Sequence, residues 1–302
     1  MGTGRGATGP SRNDRRQQAR ETARRVREEA ARKARRRKIV VQGSVILGIV
    51  SALAIVGAVV FGSGPAAVAE AVNPKNMPSG GVRYDGSMTV TPAAALTKGA
   101  EPKPTTVALD GKTAHVQIWV DYQCPGCKAF EAQNAEQIEK WLTDGTATLE
   151  LHPVAIRDIP TNNEYSTRSA AAASCVASSR PEKFWDVNAA LFADQPDEAN
   201  DDGLTNDEIL KVFAGAGVSS KAITTCVNEQ THADFVTNAT LAATSHPQLK
   251  DPIRGGFTTP AVFVNGERYR GAISDPEQFA RFVETMVRDA GSGKDLTFPS
   301  AR

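Results

Sequence analysis

Hydrophobic and polar positions divide the chain into stretches with different rhythms. The first 38 residues carry Arg and Glu with little apolar content. Ile39–Phe61 then runs apolar for 23 residues, with Gln42 its only strongly polar member. A helix of that length, at 1.5 Å per residue, reaches roughly 34 Å and can cross a hydrocarbon core of about 30 Å. Residues 62–104 lack helical period and contain six prolines, at 65, 74, 78, 92, 102 and 104, which predicts a linker. Within it, Val82-Arg83-Tyr84 and Met88-Thr89-Val90 flank Asp85-Gly86-Ser87 and predict a small hairpin.

From Thr105 the pattern becomes globular. Thr106–Leu109 and His115–Val120 read as strands, residues 128–143 as a helix and Thr146–Leu151 as an alternating strand. An Ala-rich block follows with helical period at about 166–178, 182–193, 205–215 and 219–244. Ala261–Val264 reads as a strand, Asn265-Gly266 as a hairpin turn and Glu267–Tyr269 as its return. A last helix, about 275–290, places Phe279, Phe282, Val283, Met286 and Val287 on one face. This order predicts an α/β domain over 105–295, interrupted by an all-helical insertion at about 160–246 and preceded by a single transmembrane helix.

Charge adds an orientation. Residues 1–38 hold 14 Lys and Arg against 4 Asp and Glu, whereas the whole chain holds 35 against 34, so everything after the arm is net acidic. Basic residues crowd the N-terminal flank of the apolar run and are sparse beyond it until Lys75, which places the N-terminus in the cytoplasm and the rest outside. The expected location is the cell membrane, with one pass. Ala67-Val68-Ala69 offers an alternative, cleavage as a signal peptide, although the apolar run exceeds the usual 7–15 residues. A buried core helix is a third reading. The arm can lie on anionic lipid; with almost no aromatic residues to stack on bases, it is not read as a nucleic-acid site.

All four cysteines follow the apolar run: Cys124, Cys127, Cys175 and Cys226. Cys124-Pro125-Gly126-Cys127 joins a strand pattern to a helix pattern. A helix N-terminus stabilises a thiolate on the first cysteine, expected to be the exposed nucleophile, with Cys127 one turn in as its resolving partner. Neither a second Cys-x-x-Cys nor a close histidine pair supports zinc. No metal or cofactor is expected, and His115, His152, His232 and His246 receive no role. Asn238-Ala239-Thr240 is a chance glycosylation triplet. Cys175 and Cys226 are either a structural pair in an oxidising compartment or two free buried thiols.

Three separated motifs in order, Asp121–Glu131, Asn163-Glu164-Tyr165-Ser166 and Thr258-Thr259-Pro260-Ala261-Val262, resemble the DsbA-like thiol–disulfide oxidoreductases of the thioredoxin superfamily. The resemblance covers about 105–290. It implies a thioredoxin-like fold with a helical insertion and a redox-active Cys124–Cys127 pair, supported by Pro125, Gly126, Thr259 and a cis Pro260. It also favours a structural Cys175–Cys226 disulfide. The family often places a buried carboxylate where this chain has Ile118, leaving Gln117 and Asp121 as the nearest polar candidates for a proton route. Gly126 stands where strongly oxidising members carry His, which implies a milder oxidant. The implied activity is disulfide introduction into reduced exported proteins, by a monomer recycled by a quinone-linked membrane oxidase of the DsbB or vitamin-K-epoxide-reductase type. The alternatives are an extracytoplasmic reductase or isomerase, including one that maintains cysteines for haem attachment, and a non-catalytic binding module.

Overall fold

The structure, a computed structural model, describes residues 72–293 apart from 160 and 198–201. The basic arm and the membrane helix expected from the sequence lie outside the described residues. Among the described residues no helix is long and apolar enough to cross a membrane.

The chain forms β1 (Val82–Tyr84), β2 (Ala114–Val120), α1 (Pro125–Thr143) and β3 (Ala147–Pro153). The helical insertion follows: α2 (Tyr165–Ser179), α3 (Phe184–Ala193), α4 (Asn206–Gly215), α5 (Lys221–Asn228) and α6 (Ala233–Ser245). Next come β4 (Lys250–Asp251), β5 (Gly256–Phe257), β6 (Ala261–Val264), β7 (Glu267–Arg268) and α7 (Pro276–Gly291). Five strands make one sheet in the order β1-β3-β2-β6-β7, with β2 parallel to β3 and antiparallel to β6.

Strand β2 is buried along nearly its whole length because both faces of the sheet are covered. Val116, Ile118 and Val120 join the main core with Phe130, Ile138 and Leu142 of α1 and Phe279 of α7. Phe130 meets Phe279 edge-on, with ring centroids 5.4 Å apart. On the opposite face Trp119 stacks on His152 at 4.3 Å and anchors a second cluster with Val154, Leu249, Ala261 and Phe263. Beside it Glu150 is buried, accepting hydrogen bonds from Gln117 (2.9 Å) and the Thr105 hydroxyl (2.6 Å). Burial alone would push its carboxyl up; the neighbouring His152 ring, 3.3 Å away, holds it well below the usual range, helped by the Thr105 hydroxyl.

In the insertion, α2 is buried on nearly every side. Ala170–Ala173 give it a thin profile, so α3, α5 and α6 pack closely around it. A disulfide joins Cys175 of α2 to Cys226 of α5. Its sequence separation of 51 corresponds to about 4 kcal/mol in the chain-entropy view of cross-linking.

Four expectations need correction. Thr106–Leu109 forms no strand: the outer edge of β3 is occupied by β1, with Val82 opposite Leu151 and Tyr84 opposite Leu149. The described part of 62–104 is therefore no linker, and the folded domain begins well before 105. Met77, Val82, Tyr84 and Val90 are buried in the main core, and Asn76 fastens to the insertion through the Ala177 carbonyl (2.8 Å). The helix expected over 219–244 is two helices: Gln230 adopts φ 49° and the Thr231 N–H turns back to the Cys226 carbonyl (3.1 Å). Finally, the pair β4–β5, too short for a periodic signal, precedes the strand at 261.

If residues 76–90 belong to the core, Tyr84→Ala should lower the unfolding free energy by about 3–5 kcal/mol, as for other buried aromatic truncations. A tethering linker would tolerate it within about 0.5 kcal/mol. Urea unfolding followed by tryptophan fluorescence separates the two outcomes.

Candidate active site

The C-terminal end of β2 delivers the chain into a tight turn, Asp121-Tyr122-Gln123, and then into α1. Cys124 is the N-cap residue, in extended conformation, with Pro125 at the first helical position, where a missing N–H costs nothing. The Cys124 N–H bonds to the Asp121 carbonyl (2.9 Å), and the Cys124 carbonyl accepts from the Cys127 (3.0 Å) and Lys128 (3.2 Å) amides. The Cys124 sulfur thus lies where the first turn of α1 presents its unpaired N–H groups.

The loop before β6 closes over this point. Its Thr259–Pro260 peptide bond is cis. The Cys124 sulfur lies 3.3 Å from the Thr259 carbonyl oxygen, to which it can donate only when protonated, and the contact joins residues 135 apart in sequence. Gly126 fits beneath the loop: a Cβ there would lie 3.3 Å from Pro260 Cδ and 3.5 Å from Ile273 Cδ1.

Cys124 and Cys127 are both free thiols. The expected exposed nucleophile is in fact only 4% exposed, because the proline loop covers it. Its pKa is lowered to about 5, first by the hydrogen bond from the Cys127 thiol and then by the Thr259 side chain and the Cys127 and Gly126 backbone, against an opposing effect of burial. Burial pushes the Cys127 thiol well up, and its hydrogen bond to Cys124 adds to this. One sulfur is therefore a thiolate at neutral pH and its neighbour a protonated donor.

The polar candidates separate. Gln117 faces the opposite side of the sheet, where it bonds to Glu150 and the Thr105 carbonyl, so it offers Cys127 no proton route. Asp121 is fully buried and accepts four hydrogen bonds: from the Gln123 amide (2.8 Å), the Ser166 hydroxyl (2.7 Å), and the Ile156 (2.8 Å) and Arg157 (3.0 Å) amides. Burial raises its pKa to about 6 despite these donors, and the Cys124 thiolate contributes in the same direction.

Two further contributors escaped the sequence reading. Gln195, just past α3, donates its side-chain amide to the carbonyls of Tyr122 (2.9 Å) and Cys124 (3.0 Å). Glu131, one turn after Cys127, accepts from Asn188 (2.9 Å) and is raised to about 7 by burial. Nothing in the local pattern marks a lone glutamine after a helix as part of this site. Glu131 lies within the family-like segment but carries no spacing signal of its own. Cys175 and Cys226 lie away in the insertion; their sulfurs are within 4.8 Å of a His232 ring nitrogen, but being bonded to each other they form no metal site.

A thioredoxin family model matches residues 110–285. The chain belongs to that family, and within it to the DsbA-like thiol–disulfide oxidoreductases. It resembles the reduced disulfide bond oxidoreductase DsbG of Mycobacterium tuberculosis at 28% identity, over 71% of this chain and 94% of that one, with a TM-score of 0.52. Oxidised DsbA of the same organism matches at 28% identity over 71% and 97%, also with a TM-score of 0.52. MdbA, a thiol–disulfide oxidoreductase of Corynebacterium diphtheriae, shares the fold at 18% identity, over 72% and 94%, with a TM-score of 0.52. The comparison with curated proteins found no match.

Alkylation by iodoacetamide tests the electrostatics. Cys124 is depressed, so its thiolate should persist as pH falls and be lost only through about pH 5. An ordinary thiol would lose it near 8.5. Thr259→Val should move the midpoint upward; an unchanged midpoint would remove that hydroxyl from the account.

Proposed function

We propose that this chain is a membrane-anchored, extracytoplasmic oxidase that introduces disulfides into exported proteins. The observation that carries the reading is the Cys124 thiolate, lowered to about 5 beneath the Thr259–Pro260 loop. Stabilising a thiolate stabilises the reduced enzyme, and so makes the Cys124–Cys127 disulfide a better oxidant. A value near 5 lies between about 7 for thioredoxin and about 3.5 for a strong oxidase, which agrees with a milder oxidant carrying Gly126. The likeness to DsbA of Mycobacterium tuberculosis supports the same direction.

In this reading a substrate thiolate attacks Cys124 Sγ of the oxidised pair. The Cys124–Cys127 bond breaks, Cys127 leaves and takes up a proton, and a mixed disulfide joins substrate to Cys124. A second substrate thiolate then attacks the substrate sulfur of that bond, and Cys124 leaves as the stabilised thiolate. The substrate loses two electrons and the enzyme gains them. Because burial keeps Cys127 protonated, its return attack is slow and the mixed disulfide persists long enough for the second substrate thiol. Pro125, Gly126, Thr259 and cis Pro260 shape this site, and Cys175–Cys226 braces the insertion.

The anchor is assigned to 39–61, with 1–38 as a cytoplasmic arm on anionic lipid, from apolar length and flanking charge. The resulting dithiol needs a two-electron acceptor in the same membrane, assigned to a quinone-linked oxidase of the DsbB or vitamin-K-epoxide-reductase type. Tethering would raise the effective concentration of the two partners for each other. The enzyme is assigned as a monomer.

The oxidised protein should transfer its disulfide to a reduced, unfolded substrate; Cys124→Ser should abolish transfer, and Cys127→Ser should trap mixed disulfides. Equilibration with glutathione should give a potential near about −120 to −180 mV. A value below about −230 mV would replace the oxidase by a reductase.

A further inference from the structure

Directly before the cis-proline loop, β4 and β5 form a hairpin whose tip carries Ile253, which at 83% exposed is the most exposed large apolar side chain among the described residues. The tip is fixed. Asp251 accepts from the Ile253 amide (2.8 Å) and the Arg254 amide (3.3 Å), and the Gly255 N–H returns to the Asp251 carbonyl (2.8 Å). At its base, Phe257 packs on the cluster of Trp119, Leu249 and Phe263. An isoleucine held in water on an ordered turn is not explained by the packing of its own domain.

The surroundings are basic. Arg268 lies over the Phe263 ring at 5.3 Å and donates to the Leu249 carbonyl (2.9 Å) and to the Thr258 hydroxyl (3.3 Å), tying the hairpin to the active-site loop. The charges of Arg254 and Arg270 both bear on Arg268, and both residues are exposed. Asp251 is the carboxylate that bears on it in the opposite sense. The hairpin leads along the chain to the reacting sulfur: Thr259 touches Cys124, and five residues from Thr259 back to Arg254 span at most about 18 Å.

Building on the oxidoreductase reading, we propose that this hairpin is a substrate-docking arm that selects an extended, acidic segment beside the substrate cysteine, its carboxylates meeting Arg254 and Arg270 and an apolar side chain covering Ile253. A stretch of about five extended residues bridges from Cys124 to the tip. The occupant is an unfolded polypeptide, since a folded surface would have to enter beneath the proline loop to reach a sulfur that is 4% exposed.

The test uses the oxidised full chain in detergent and two reduced peptides, identical except for three Glu or three Lys residues placed within five positions of one cysteine. The acidic peptide should be oxidised roughly tenfold faster at low salt, with the difference shrinking in about 0.5 M salt. Arg254→Glu with Arg270→Glu should reverse the preference, while oxidation of dithiothreitol stays unchanged. Ile253→Ser should slow both peptides about fivefold. Equal rates for the two peptides, or a preference that survives the arginine substitutions, would overturn the docking arm. Binding of the same peptides with serine for cysteine, read by fluorescence anisotropy, follows docking without chemistry. An acidic preference there, with no disulfide transfer at all, would count against the oxidase reading and leave the docking arm standing.

Discussion

The buried carboxylate of Asp121 holds the active site in register with the rest of the domain. Its two oxygens take four donors from three places: the turn that precedes Cys124, the segment that leaves β3, and the first turn of α2. A charge in such a place is unfavourable unless each lone pair is used. Sheet, insertion and cysteine turn are therefore positioned by one group that tolerates little displacement. Gln195 repeats the arrangement from the far side of the insertion, gripping the carbonyls of Tyr122 and Cys124. The helical block is thus a clamp on the turn as well as a cover for the sheet.

The two active-site sulfurs are shifted in opposite directions, by burial at Cys127 and by the hydrogen bond between them. Cys124 sits at the helix N-terminus under the proline loop and is lowered, whereas Cys127, one turn deeper, is raised by burial. The Cys127 thiol donates to the Cys124 thiolate, so each shift reinforces the other. A histidine between the cysteines is not required for a lowered thiol; the neighbouring cysteine and Thr259 supply the donors here. Gly126 leaves just enough room for Pro260 and Ile273 to close over the turn.

The fold was legible where patterns are local. The alternation of β2 and β3, the Asn265-Gly266 turn, where both residues have positive φ, and the apolar face of α7 are each written within a short window. The meeting of Thr259 with Cys124 could be read only through the resemblance of motifs, because 135 residues separate them. What the sequence hid depends on long-range choice. β1 was legible as one arm of a short hairpin, and Tyr84 does bridge Val90, but its pairing with the edge of β3 ahead of the more regular Thr106–Leu109 was not. There the Thr105 amide and hydroxyl are drawn instead to the buried Glu150 carboxylate, a side-chain interaction without periodicity. The break between α5 and α6 turns on a single residue, Gln230, in a backbone conformation that composition does not announce.

The first described residue adds a mechanical point. The Val72 carbonyl is bonded by His232 at 2.7 Å, and that ring lies beside the Cys175–Cys226 bond. Asn76 then grips α2 at Ala177 before the chain reaches the sheet. A pull arriving along the chain from upstream is consequently borne first by covalently cross-linked helices. The cysteine turn lies downstream of these attachments, so such a pull meets the cross-linked insertion before it meets the active site.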